Sequence, residues 1–197
     1  DIDNVQEIKT VLHKNKTLKG LNVTIPYKES IIPFLDELSQ EAQQIQAVNT
    51  IKFVDNQLIG YNTDAFGFMK SLFPILERQH THALILGKGG ASKAVANALK
   101  SMGIEYHFVS RNPNSHDFAY ADLEESIIHE HQLIINCTPL GTYPNVKQSP
   151  DIPYDLLEPS HLLYDLVYNP PITEFLAKGK IRGCNIYNGK KMLEYQA

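Results

Sequence analysis

A lysine, an asparagine and an aspartate stand beside three apolar runs in the first third of the chain. Lys28 follows Asn22-Val23-Thr24-Ile25-Pro26, Asn49 lies within Ala47-Val48-Asn49-Thr50, and Asp64 closes Asn62-Thr63-Asp64. A lysine and an aspartate brought together can exchange a proton with a substrate hydroxyl while the carboxylate orients the amine. A surface lysine and a helix N-cap aspartate account for the same residues, and on spacing alone that plainer reading is the favourite. A second group suits phosphate: Gly87, Lys88, Gly89, Gly90, Ala91 and Ser92 follow the apolar run Ala83-Leu84-Ile85-Leu86. Glycines at such a turn let backbone approach a pyrophosphate and let a helix N-terminus face it. A purely structural turn is the alternative, and the sixth position is Ser92 rather than Gly or Ala. The third group is Ser110-Arg111-Asn112. An NAD site usually carries an acid roughly 20 residues after the glycines, to bind the ribose 2′-hydroxyl. Here Arg111 stands instead, with Asp117 the first acid afterwards. An arginine fits a 2′-phosphate through paired hydrogen bonds, or is an ordinary solvated side chain.

The elements that must position these groups follow from periodicity. Val5, Ile8, Val11 and Leu12 predict a helix over residues 4 to 14, and Leu21, Val23 and Ile25 alternate as a strand ended by Pro26. Residues 28 to 45 are expected to be mostly helical, interrupted near Pro33. Residues 47 to 54 and 58 to 61 flank Asp55-Asn56, a tight turn between strands. Asn62-Thr63-Asp64 offers N-cap chemistry to a helix through about residue 77. Next comes a βαβ unit: the strand at residues 83 to 86, a helix over 91 to 102 with Ala94, Val95, Ala98 and Leu99 on one face, Gly103 as C-cap, and a strand at 106 to 110. Strand and helix keep alternating: helix 123 to 130, strands 133 to 136 and 162 to 167, helix 173 to 180, strand 185 to 187 and a helical tail. That alternation predicts a doubly wound parallel sheet, with a domain boundary near residue 80.

At 197 residues the chain suits one domain or two small ones. A net charge of −4 gives no basic footprint for nucleic acid, and no apolar run reaches the roughly 20 residues of a membrane helix. Cys137 and Cys184 lie far apart, which suits free thiols in a reducing cytosol. His80 and His82, like His129 and His131, lack a third ligand at metal spacing, so no metal is expected.

Several stretches resemble, in order, the motifs of the shikimate dehydrogenase family: Asn22-Val23-Thr24-Ile25-Pro26-Tyr27-Lys28, Ala47-Val48-Asn49-Thr50, Gly60-Tyr61-Asn62-Thr63-Asp64 and Gly87-Lys88-Gly89-Gly90-Ala91-Ser92. Asn136-Cys137-Thr138-Pro139-Leu140-Gly141, Tyr164-Asp165-Leu166-Val167-Tyr168-Asn169-Pro170 and Asn188-Gly189 through Met192-Leu193-Glu194-Tyr195-Gln196-Ala197 continue the series. The resemblance implies an NADP-dependent enzyme that reduces 3-dehydroshikimate to shikimate in aromatic amino acid biosynthesis, in the cytoplasm, as a monomer or homodimer. It implies a small α/β substrate domain at residues 1–80, closed by 189–197, and a Rossmann domain at 81–188, with a cleft between them. Lys28 and Asp64 become the catalytic pair; with them Thr24, Asn49, Tyr168 and Gln196 contact substrate. The glycine turn from Gly87 to Ser92 holds pyrophosphate, Ser110, Arg111 and Asn112 take the adenosine phosphate end, and Thr138, Leu140, Val167 and Gly189 line the nicotinamide side.

This sequence departs from the family in four places. A strand and a serine-containing carboxylate grip are expected before Asp1, in roughly 40 or more further residues at usual element lengths. Without them, substrate binding is expected to be poor and NADP binding to remain measurable. Lys190-Lys191 replaces the usual Leu-Gly, Thr142 stands where methionine is common, and Lys88 occupies a usual alanine, where it adds a phosphate contact or points to solvent. Two rival readings stay open: a quinate/shikimate dehydrogenase with broader substrate or cofactor use, and a nucleotide-binding redox sensor without catalysis.

Overall fold

The computed structural model describes residues 2–15, 17–55 and 57–196. They form two compact units, Asp1–Asp64 and Ala65–Ala197. In the first, a 3-10 turn at Val5–Glu7 is capped by Asn4, whose side chain accepts the Gln6 N–H, and runs into α1 (Ile8–Lys14). A four-stranded sheet follows, built from β1 (Gly20–Asn22), β2 (Glu37–Leu38), β3 (Thr50–Val54) and β4 (Gln57–Tyr61) in the order β1-β3-β4-β2. β3 is antiparallel to both neighbours and β2 runs parallel to β4. Ile8, Ile31, Ala42, Val48 and Ile51 form its core, with Leu21, Leu35, Leu38 and Leu58 packed against them.

Two expectations for this unit are corrected. Residues 28 to 45 are not mainly helical: a 3-10 turn at Ile32–Phe34 gives way to β2, and only α2 (Gln40–Ile45) is α-helical. Partner strand β4 overrides local propensity there, because Asp36 and Leu58 exchange hydrogen bonds and Ser39 N–H donates to the Gly60 carbonyl. Ser39 then caps α2 through Ala42 N–H. The first strand ends at Asn22 rather than Ile25, since the Thr24 carbonyl is drawn into a turn with Tyr27 N–H. At the β3–β4 turn Asp55 takes φ 49°; its expected partner Asn56 lies outside the described residues.

α3 (Asp64–Leu72) begins on the last residue of the first unit. It stops short of residue 77 because Pro74 lacks the N–H a helix needs, and a 3-10 turn at Phe73–Ile75 replaces the last turn. Beyond it lie β5 (His82–Leu86), α4 (Gly90–Ser101), β6 (Glu105–Val109), α5 (Glu125–Glu130) and β7 (Leu133–Asn136). β8 (Leu162–Asp165), α6 (Glu174–Ile181), β9 (Asn185–Asn188) and α7 (Lys190–Gln196) complete the unit. All five strands are parallel, in the order β6-β5-β7-β8-β9. Right-handed crossovers from that order place α4 on one face and α5 and α6 on the other. Burial on both faces explains why β7 and β8 carry no exposed residue. The strand order reverses at β5/β7, and in such sheets the crevice at the carboxyl ends of the reversing strands is where ligands bind.

Candidate functional site

In the first unit, Lys28 Nζ lies 2.6 Å from Asp64 Oδ2, with the two side chains 14% and 3% exposed. Asn49 Nδ2 donates to the other carboxylate oxygen at 3.0 Å and to Thr63 Oγ1 at 2.9 Å, while its Oδ1 accepts Thr63 N–H at 3.0 Å. Both Asp64 oxygens are therefore held by nitrogen donors. The backbone fixes the donors in turn: Val48 N–H donates to the Lys28 carbonyl, Asn49 N–H to that of Tyr61, and Val23 N–H to that of Asn49. Asn62 anchors the start of α3 by accepting Asp64 N–H and donating to the Ala47 carbonyl. A charged pair with both partners withdrawn from water is sensitive to the loss of either member. It is also chemically apt, since the ammonium has three hydrogens and Asp64 engages one. Lys28, Asn49 and Asp64, expected together, are together. Thr24 is exposed beside them in sequence and enters this unit's bonding through its carbonyl.

In the second unit, the residues expected around the cofactor gather at the carboxyl ends of the parallel strands. Gly87 leaves β5 at φ +101°, a left-handed conformation that favours glycine, and a Cβ there would come within 3.1 Å of Thr138 Cγ2. The Gly87 and Thr138 loops are thus neighbours where the strand order reverses. Gly89 caps α4 with open space where a Cβ would stand, and Ser92 Oγ donates to the Gly89 carbonyl at 2.6 Å. Lys88 Nζ reaches Asp117 Oδ2 at 2.5 Å. Ser110 Oγ is buried without a hydrogen-bond partner, while Arg111 and Asn112 are exposed beside it. An unpaired buried hydroxyl and an open glycine-lined helix start fit a nucleotide diphosphate with its adenosine at the end of β6. Across the sheet, Gly189 N–H donates to the Val167 carbonyl at 3.3 Å, and a Cβ on Gly189 would overlap the Leu166 carbonyl. Tyr168 is exposed after β8, and Gln196 lies on α7, where its side chain packs against Gly67 of α3.

Sequence reasoning assigned no role to a buried polar network behind Thr138 and Val167. Asp165 Oδ1 accepts from Asn136 Nδ2 and Val167 N–H, both at 3.0 Å, and Oδ2 accepts from Thr173 Oγ1 at 2.5 Å. Asn136 Oδ1 accepts Thr138 N–H and Oγ1–H at 3.0 and 2.6 Å, and Thr138 Oγ1 accepts Leu140 N–H. Burial pushes the Asp165 carboxyl up to about 6, against the hydrogen bonds from Thr173, Val167 and Asn136 that favour its charged form. The available signal was a polar residue ending two otherwise apolar strands, Leu133-Ile134-Ile135-Asn136 and Leu162-Leu163-Tyr164-Asp165. Elsewhere His107 Nδ1 and His131 Nε2 are 2.9 Å apart, and His131 Nδ1–H donates to the Ile127 carbonyl. Among the described residues no group of three or more His, Cys, Asp or Glu side chains is placed to hold a metal, and no helix is long and apolar enough to cross a membrane.

Residues 1–51 match the family described as the shikimate dehydrogenase substrate binding domain. A shikimate dehydrogenase (NADP(+)) from Clostridium botulinum is 38% identical, the match covering 99% of this chain and 78% of the relative. The crystal structure of shikimate dehydrogenase from Aquifex aeolicus superposes with a TM-score of 0.86 at 35% identity, covering 98% of this chain and 75% of that one. Shikimate 5-dehydrogenase from Thermus thermophilus, solved in complex with NADP(H) and shikimate, gives a TM-score of 0.82 at 34% identity over 95% of this chain and 73% of that one.

Proposed function

The chain belongs to the shikimate dehydrogenase family, and from that premise we propose that it catalyses the reversible, NADP-dependent reduction of 3-dehydroshikimate to shikimate. The observation that carries the reading is the withdrawn Lys28–Asp64 pair, 2.6 Å apart and braced by Asn49. When bound, NADPH supplies the hydride for the ketone carbon. Lys28 gives a proton to the carbonyl oxygen as that carbon is reduced, and accepts it back in the oxidative direction. Asp64 orients the ammonium, and Asn49 fixes the carboxylate. Thr24, Asn49, Tyr168 and Gln196, together with the catalytic pair, grip the substrate's oxygens.

The glycine turn from Gly87 to Ser92 holds the pyrophosphate, Ser110, Arg111 and Asn112 take the adenosine 2′-phosphate, and Thr138, Leu140, Val167 and Gly189 border the nicotinamide. Residues 1–80 serve as the substrate domain, 81–188 as the NADP domain, and 189–197 close over the substrate. Close packing of α7 on α3 supports the last assignment: a Cβ at Gly67 would fall 2.7 Å from the Met192 carbonyl oxygen. The enzyme works in the cytoplasm as a monomer or homodimer, on a small-molecule substrate. Absorbance of reduced nicotinamide, followed with shikimate or quinate and with NADP or NAD, tests the proposal. Reduction of NADP with shikimate well above every other combination is expected; no reduction in any combination overturns it.

A further inference from the structure

The loop after β6 turns back on the glycine turn through one ion pair. Phe118 N–H donates to the Phe108 carbonyl and Ser110 N–H to the Phe118 carbonyl, so residues 111–117 close a short excursion from the end of β6. Asp117 is the only acid in that excursion. Its Oδ2 accepts Asn114 N–H at 2.8 Å and Lys88 Nζ at 2.5 Å, its side chain is 8% exposed, and the Lys88 ammonium stands 5.9 Å from the Phe108 ring centre. Burial acts to raise the Asp117 carboxyl, but the bonds from Lys88 and Asn114 outweigh it and hold it below the usual carboxylate range. A carboxylate thus sits ionised beside the positions that the NADP reading gives to the adenosine phosphate end. An acid at the end of this strand is what a site for a free ribose diol uses, and it repels a 2′-phosphate.

We propose that the Lys88–Asp117 ion pair sets cofactor choice: Lys88 masks the one carboxylate that the loop brings to the glycine turn, leaving Arg111 as the uncompensated charge that meets a 2′-phosphate. The proposal rests on the reading of the second unit as an NADP site. Lys88 is then a positioning residue that acts through Asp117. The fragments adenosine 2′,5′-bisphosphate and 5′-AMP separate the 2′-phosphate from the rest of the nucleotide, and calorimetry on the whole chain reads each without catalysis. Lys88→Met keeps the apolar stem and should weaken the bisphosphate about tenfold, a few-ångström charge effect at protein-surface dielectric, with a clearly smaller loss for 5′-AMP. Asp117→Asn, which keeps the acceptor for Asn114 N–H, should bind the bisphosphate at least as tightly as the unaltered chain. The double variant Lys88→Met/Asp117→Asn should recover most of what Lys88→Met loses. A double variant as weak as Lys88→Met overturns the masking role, as does an equal loss of both fragments. Failure of the unaltered chain to bind either fragment overturns the NADP reading itself, and the proposal with it.

Discussion

Asp64 has two carboxylate oxygens and two different jobs for them. Oδ2 meets the Lys28 ammonium and Oδ1 is tied to Asn49, so the lysine is oriented by a group that cannot swing away with it. If that pair moves the substrate proton, Lys28→Ala lowers turnover about 10²-fold or more with NADP affinity retained. Asp64→Asn damages the same step, and the double variant loses less than the product of the two because the residues act as a unit. Near-normal turnover of Lys28→Ala would leave a structural lysine. At the other ligand, Arg111→Ala is expected to raise the Michaelis constant for NADP far more than for NAD; equal changes would remove Arg111 from the 2′-phosphate. The residue types were legible in the sequence and their meeting was not. Lys28 and Asp64 are 36 positions apart, and periodicity says nothing about which strand ends are neighbours. What joins them is the β1-β3-β4 pairing, with Val48 bonded to Lys28 and Asn49 to Tyr61.

Strands β5, β7 and β8 could be read from sequence because both of their faces are buried, which leaves uninterrupted apolar runs. The stretch from 28 to 45 could not, because β2 is two residues long and exists only through β4. A register set by a partner leaves no local pattern. Asn136 and Asp165 were hidden for a related reason: each is one polar residue at the end of an apolar run, and only the parallel register Asn136↔Asp165 brings them into contact. Gly67 shows packing that sequence also concealed. A Cβ there would fall 2.8 Å from Gln196 Cγ and 3.4 Å from Gln196 N, so even alanine must push α7 away. Gly67→Ala should therefore displace Gln196, raising the Michaelis constant for shikimate severalfold with NADP affinity unchanged. If steady-state kinetics find the shikimate constant unmoved, Gln196 has no part in gripping substrate.

The fold stores an unfavourable charge behind the Thr138 and Val167 loops, and that charge makes the stability of the protein depend on pH. Asp165 is fully buried and its carboxyl is pushed up to about 6, from a usual value near 3.8. Because the folded value is the higher one, the native state binds the extra proton first. The contribution to stability is complete below the unfolded value, and it is lost as pH rises through the folded value. His131 and His80 act in the opposite sense: burial lowers both, so they favour the native state above the usual histidine range and oppose it as pH falls. Raw stability against pH mixes these signs, whereas a comparison with Asp165→Asn isolates the carboxyl. The amide can still accept from Val167 N–H and Asn136 Nδ2, and Thr173 can turn its hydroxyl to accept from the new NH₂. Urea unfolding of both proteins from pH 7 to pH 4 should show the unaltered chain gaining about 2–3 kcal/mol on the variant across that window, the size of a two-unit shift. The gain should be concentrated between pH 6 and pH 4. A difference that stays flat through that range would mean that Asp165 titrates normally and that the hydrogen bonds from Asn136, Val167 and Thr173 compensate its burial in full.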